Sequence, residues 1–373
     1  MPTKDLESGA WTGGFIPGLE LCRAFHDEAV RPLLAEVFPI LRYSAALLGT
    51  GSEVLGFDTE RSTDHHWGPR LQVFLEPPAH AAQAEAVKER LARRLPFSFR
   101  GYPTNWGPSD EGGVQLLAPI EQGPVNHRVA LLTVDTFFRT LLGFDPRASL
   151  YLRDWLLTPA QILLSVTAGA VYHDGLGELE PIREKLAWYP HDLWLYLIAC
   201  QWTRIEQEEA FVGRCVEISD ELGSRIVVAR LVRDLMKLCF LLERRYAPYS
   251  KWLGTAFARL QCAGMLAPVL DRTLAAQDPQ TREDRLAAAF ELVAQQHNGL
   301  AITEFVEPIS RIFHGRPYRV LRAERFAEAT RLAIRDEAVL ALPVGVGSID
   351  QFVDSTDVLS RPQRARRLGS IYE

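Results

Sequence analysis

The stretch YSAALLGTGSEVLGFDTERSTDHHWGPRLQVFL, residues 43–75, decides the fold. An apolar run at 45–48 breaks at Gly49-Thr50-Gly51-Ser52, a polar loop follows, and Ser62-Thr63-Asp64 leads into a second apolar run at 71–75. That order predicts strand, glycine turn, short helix or loop, strand. The turn offers close backbone approach, amide N–H groups and the Ser52 hydroxyl, which together can hold a phosphate. Asp64, placed at the start of the second strand, would set a carboxylate where a hard cation bridges to that phosphate. The plainer alternative is an ordinary turn and a polar residue at a strand start.

The same residues resemble the nucleotidyltransferase (polymerase beta-like) superfamily, whose pattern is a strand, Gly-Ser, about ten residues, then Ser-Asp-x-Asp on a second strand. Gly51-Ser52 matches the first element and Thr63-Asp64-His65-His66 the second, with His66 standing at the second carboxylate. The wider wording, Gly-Ser-Glu-Val-Leu-Gly-Phe-Asp and then Ser-Thr-Asp-His-x-Trp-Gly-Pro-Arg, is similar to the DUF4037 family, a bacterial branch of uncharacterised function. The resemblance implies a nucleotidyltransferase-like fold that takes an NTP, ATP first among the candidates, with a divalent metal, Mg or Mn. It assigns Gly51 and Ser52 to the phosphates and Asp64 and His66 to catalysis and the metal.

His66 alters what that chemistry can be. Two magnesium ions held by carboxylates normally clamp the attacking and leaving oxygens. Magnesium wants hard oxygen ligands, whereas imidazole suits zinc, manganese, cobalt or nickel. A third carboxylate is expected to open a later strand near 128–134, but Asn126, His127 and Arg128 stand there. Two readings follow: a transferase with an altered metal site, or a fold that binds a nucleotide without transferring it, as a regulator or partner.

Composition bounds the rest. The 373 residues are 47% hydrophobic and 24% charged, ordinary for a globular chain of one large domain or two. A net charge of −6 argues against wholesale nucleic-acid binding, so no nucleic-acid partner is expected. The longest uninterrupted apolar run, 193–200, is far short of a bilayer span, and the N-terminus has no apolar signal core; no membrane association is expected. The five cysteines are scattered without a Cys-x-x-Cys pair, which predicts free thiols and a cytoplasmic location.

Helix and strand alternate over the first half, which predicts a mixed sheet flanked by helices at residues 1–157. A helix is expected at 19–38 with a kink at Pro32, another at 79–95, short strands at 96–101, 114–118 and 128–134, and a helix at 135–142 stopped by Gly143. Helical periodicity takes over from about 158, which predicts an α-helical bundle at 158–344. Residues 345–373 read as an extended end with a basic cluster. The ligand is expected in the cleft between the two domains.

Motifs in the helical half are fewer. Residues 168–177 resemble a segment of aminoglycoside-type nucleotidyltransferases in which a short apolar run ends in an aspartate, here Asp174, before a glycine turn and a helix; its alternative role is to cap the turn and the next helix. Tyr-x-Pro-x-x-Lys-Trp at 246–252 resembles the bundle of small-molecule (kanamycin-type) nucleotidyltransferases, and there Pro248 would aim Tyr249 and Lys251 at a triphosphate. The alternative is a surface lysine beside a packing tryptophan. Glu206 and Glu209 share a helix face and could supply a general base for a small-molecule acceptor, or form a solvated ion-paired face. His173-Asp174 and His191-Asp192 invite a metal phosphohydrolase reading, but such sites need a further His and Asp converging from helices, and here the first pair sits beside glycines and the second follows Pro190.

Overall fold

The structure, a computed structural model, describes residues 14–373. The chain forms two compact units. One holds the described residues up to Ser149 together with Ile162–Ala187; the other holds Leu150–Gln161 together with Trp188–Glu373.

The first unit is built on a four-stranded mixed sheet. Strands β1 (Tyr43–Leu47), β2 (Arg70–Leu75), β3 (Arg128–Leu132) and β4 (Ala170–Asp174) lie in the order β3-β2-β1-β4. β1 is antiparallel to both neighbours, and β2 and β3 are parallel. β1 is buried along its whole length, which is why its residues from Ala45 onward read as an apolar run; the buried Ser44 is satisfied by Asp174. A parallel pair needs a crossover, and the chain between β2 and β3 supplies helix α1 (Pro77–Arg94), opened by two prolines in its first turn. Val87 and Leu91 of α1 pack with Leu21, Phe25, Leu71 and Val73 in one core.

The expected helix at 19–38 is present as three consecutive segments, Gly18–Phe25, a π-helical turn His26–Val30, and Arg31–Val37. Pro32 lies in the first turn of the third segment, where its missing N–H is tolerated. The helix Val134–Leu142 ends at Gly143 with φ +80°, the left-handed stop its sequence anticipated. The run 114–118 is not a strand: it carries an isolated bridge between Trp106 and Leu117, with the Gly107 and Ala118 amides donating to the Leu116 and Asn105 carbonyls beside it.

The second unit is helical. His191–Glu209 packs on Glu221–Leu242 and Glu324–Leu332, and Ala263–Ala275 packs on Pro279–Gly299. Trp194 and Trp202 are buried, with their indole N–H groups donated to Leu241 O (2.7 Å) and His297 Nδ1 (3.1 Å). Residues 345–373, expected as an extended end, instead form the short helices Ile349–Phe352, Thr356–Leu359 and Pro362–Arg366 and a last 3₁₀ turn. Ile349 and Ala365 are fully buried, and Arg366 of the basic cluster bonds the buried Asp154 carboxylate at 2.7 Å. Burial of those apolar residues and that ion pair hold the segment in place.

The sequence-based division at 157 and 158 differs from these units at two places: 150–157 clusters with the second unit, and 162–187, with β4 and the helix Leu179–Lys185, clusters with the first. β4 lies in the stretch assigned to the bundle, yet it pairs with β1 in the sheet. All five cysteines are free, and among the described residues no helix is long and apolar enough to cross a membrane.

Candidate functional site

The glycine turn leaves β1 and is fastened to the first residue of β2. Arg70 donates through Nε (2.9 Å) and Nη2 (2.5 Å) to Glu53 Oε1, and through Nη2 to the Thr50 carbonyl (2.7 Å). Glu53 is only 3% exposed, so its charge is stabilised by this guanidinium fork rather than by water. Gly51 is required here twice over. Its φ is +139°, and a Cβ would lie 2.5 Å from both Arg70 Nη2 and Glu53 Oε2. The amides of Thr50, Gly51 and Ser52 donate to no group among the described residues.

Asp64 and His66 stand differently from the expected strand pair. Thr59 and Ser62 cap a 3₁₀ turn, Glu60–Asp64, and β2 begins only at Arg70 after Gly68-Pro69. Proline cannot donate to a ladder, so the strand could not start earlier through it. The Asp64 side chain is 67% exposed, and its Oδ1 meets His65 Nδ1 at 2.5 Å. His66 has φ +50°, and its backbone amide donates to the Gln115 carbonyl at 3.1 Å. The two residues therefore do not alternate along a strand.

The His66 imidazole is half-buried, and its Nδ1 is enclosed without a partner among the described residues. Burial lowers its pKa, and Arg128, His65 and Arg70 add to the lowering against a weaker opposing pull from Asp110. Arg128 opens β3 in register with Arg70. It lies 5.0 Å from the centre of the Trp106 ring, donates to Gln115, and has no ion pair among the described residues.

These residues do not fit a two-metal centre. Where carboxylates were expected at the two strand starts there are guanidinium groups, and among the described residues no cluster of three or more His, Cys, Asp or Glu side chains could hold a metal. The arrangement presents donors and positive charge instead.

Asp174 takes its capping role. It accepts from Ser44 Oγ at 2.6 Å and from the amides of Gly177, Glu178 and Glu180. Burial would raise its pKa, but these bonds hold it below the ordinary carboxylate range. Asp192 likewise accepts from the amides of Arg335 and Asp336. Glu209 is not on a solvated face: it is 5% exposed and accepts from the amides of Leu321, Arg322 and Ala323 at 2.7, 3.2 and 3.0 Å. Burial pushes its carboxyl up to about 7.

In the second unit, Lys251 Nζ sits 4.8 Å from the centre of the Trp252 ring and is exposed. Tyr249 accepts from Trp252 Nε1 at 2.8 Å and lines a cavity of about 390 Å³. Lys251 is not in that wall; the basic side chains there are Arg233, Lys237 and Arg245. Sequence reading passed over Arg233 and Lys237. Their four-residue spacing places them on one face of Glu221–Leu242, the only signal available for them.

No curated protein matches the chain. Residues 155–253 match a family described as a domain of unknown function, DUF4037, so this stretch of the chain is similar to that family.

Proposed function

We propose that the first unit is a nucleotidyltransferase-like module that holds the phosphates of an NTP, ATP first, at Gly51 and Ser52 without transferring them. The observation that carries this reading is the pair of arginines at the two strand starts. Arg70 braces the turn while neutralised by Glu53, and Arg128 beside it has a guanidinium with no acidic partner among the described residues. Guanidinium groups and open amides suit a phosphate, whereas a two-metal transfer asks for carboxylates at the same strand ends. Asp64 and His66 then serve the shape and charge of the loop.

Transfer of a nucleoside monophosphate to a small acceptor keeps the support of its sequence order, Gly51-Ser52 then Asp64. Calorimetry of ATP with the full chain, with and without Mg or Mn, joined to a pyrophosphate-release assay over an acceptor panel, separates the two. Saturable ATP binding without pyrophosphate release is expected. Absence of binding at millimolar ATP rejects the nucleotide reading, and release that disappears in Asp64→Asn makes the protein a transferase.

A further inference from the structure

The cavity of the helical unit has a wall unlike a packing defect. Trp188 and Tyr246 lie with ring centres 4.8 Å apart at 38°, and Tyr189 stands edge-on to Tyr246 at 5.2 Å. Phe240 and Leu253 extend this apolar side, and Tyr249, 42% exposed, reaches the rim. A volume of about 390 Å³ lies at the small end of ligand pockets, which run from roughly 300 to 1,000 Å³.

The polar side is built from separated parts of the chain. Arg233 and Asp354 neutralise each other through two bonds of 3.0 and 2.8 Å. Asp350 accepts the Ala160 amide at 2.8 Å, and its carbonyl takes one N–H of Lys237 at 2.9 Å. Lys237 has no carboxylate within 4 Å among the described residues and keeps two donors. Arg245 also lines the wall with no ion pair among them. Three basic side chains, Arg233, Lys237 and Arg245, therefore face two acidic ones, Asp350 and Asp354, an excess of one positive charge.

We propose that this cavity binds a small planar molecule bearing one anionic group, its ring against Trp188 and Tyr246 and its anion on Lys237. A cluster of aromatic rings favours a flat π-system, and a half-buried ammonium with no carboxylate within 4 Å among the described residues is completed by an anion. An aromatic carboxylate and a nucleoside monophosphate share this chemistry. None of its residues belongs to the first unit, so the proposal does not rest on nucleotide binding at Gly51-Ser52.

The test is calorimetry on the full chain with naphthalene-2-carboxylate, its uncharged amide, and adenosine 5′-monophosphate. Saturable one-to-one binding of an anionic probe is expected, with the neutral amide at least tenfold weaker. Lys237→Met should lose tenfold or more in affinity and Lys237→Arg should recover most of it, as loss of a charged hydrogen bond implies. If Lys237→Met does not fold, Arg245→Gln at the exposed edge decides: a loss of threefold or more supports the site, and unchanged affinity rejects it. A preference for either probe names the source of the ligand. The proposal is overturned if neither anion binds in the millimolar range, or if folded Lys237→Met binds both as the wild type does. Because no probe is a triphosphate and every variant lies in the second unit, this failure is distinct from failure of ATP binding at the glycine turn.

Discussion

Arg70 and Arg128 face one another as the first residues of two parallel strands, and among the described residues only Arg70 of the two has an acidic partner. The same edge of the sheet thus carries one structural guanidinium and one uncommitted one.

Removal of the two should have different consequences. Arg70→Met strands a buried Glu53 carboxylate and should cost about 3 to 5 kcal/mol of unfolding free energy in urea. Arg128→Met leaves no buried charge behind and should cost about 1 kcal/mol or less, yet weaken ATP binding by tenfold or more. Equal destabilisation by both variants, or unchanged ATP affinity in Arg128→Met, contradicts this division of roles.

Gly51→Ala and Ser52→Ala should also separate. The added methyl group at Gly51 meets the Arg70–Glu53 pair and forces a strained φ, so a loss of roughly 2 kcal/mol or more of stability is expected together with loss of ATP binding. Ser52→Ala should keep the thermal midpoint within a few degrees and weaken only the nucleotide. Thermal unfolding with and without ATP reads both.

His66→Asp is a direct probe of the charge at this edge. A carboxylate there faces Arg128 and Arg70, so it should pair with guanidinium groups rather than gather magnesium. ATP affinity should fall and Mg affinity, measured by calorimetry without nucleotide, should not rise. A gain in Mg affinity would restore the two-metal geometry implied by the superfamily pattern.

Two buried groups of the helical unit titrate in opposite senses. Burial lowers His297 to about 4, so its contribution is complete above its unfolded value near 6.5 and is lost as pH falls toward 4. Glu209, raised to about 7, favours the folded state in its protonated form; that contribution is complete below about 4.5 and is lost as pH rises through 7. Relative to wild type, His297→Gln should gain stability as pH falls from 6.5 to 5, and Glu209→Gln should gain it as pH rises from 5 to 7. Each gain should be on the order of 1 to 3 kcal/mol, read from urea midpoints at the two ends of each window.

Much of the sheet and bundle was legible because local signals agreed there: an apolar run at 45–48 in and after β1, prolines opening α1, Gly143 closing its helix. Asp64 misled because its spacing from Ser52 fits a strand start, whereas the Thr59–Ser62 cap and Pro69 delay the strand to Arg70. Glu209 gave no sign of burial, since its partners lie more than a hundred positions away. The cavity was hidden for the same reason. Trp188, Lys237 and Asp350 belong to segments with no shared periodicity, and only tertiary packing brings them to one wall.

The edge strand β4 comes from residues 170–174, after a stretch, Leu150–Gln161, that clusters with the other unit. A nascent chain therefore cannot complete its first sheet when residue 149 emerges from the ribosome; it must wait until the segment ending at Ala187 has been made. Until then β1 has one unpaired edge, a template for wrong pairing between neighbouring chains on a polysome. A gene fragment stopped at residue 149 or 157 should yield insoluble protein, whereas one extended through 187 carries every strand that β1 needs.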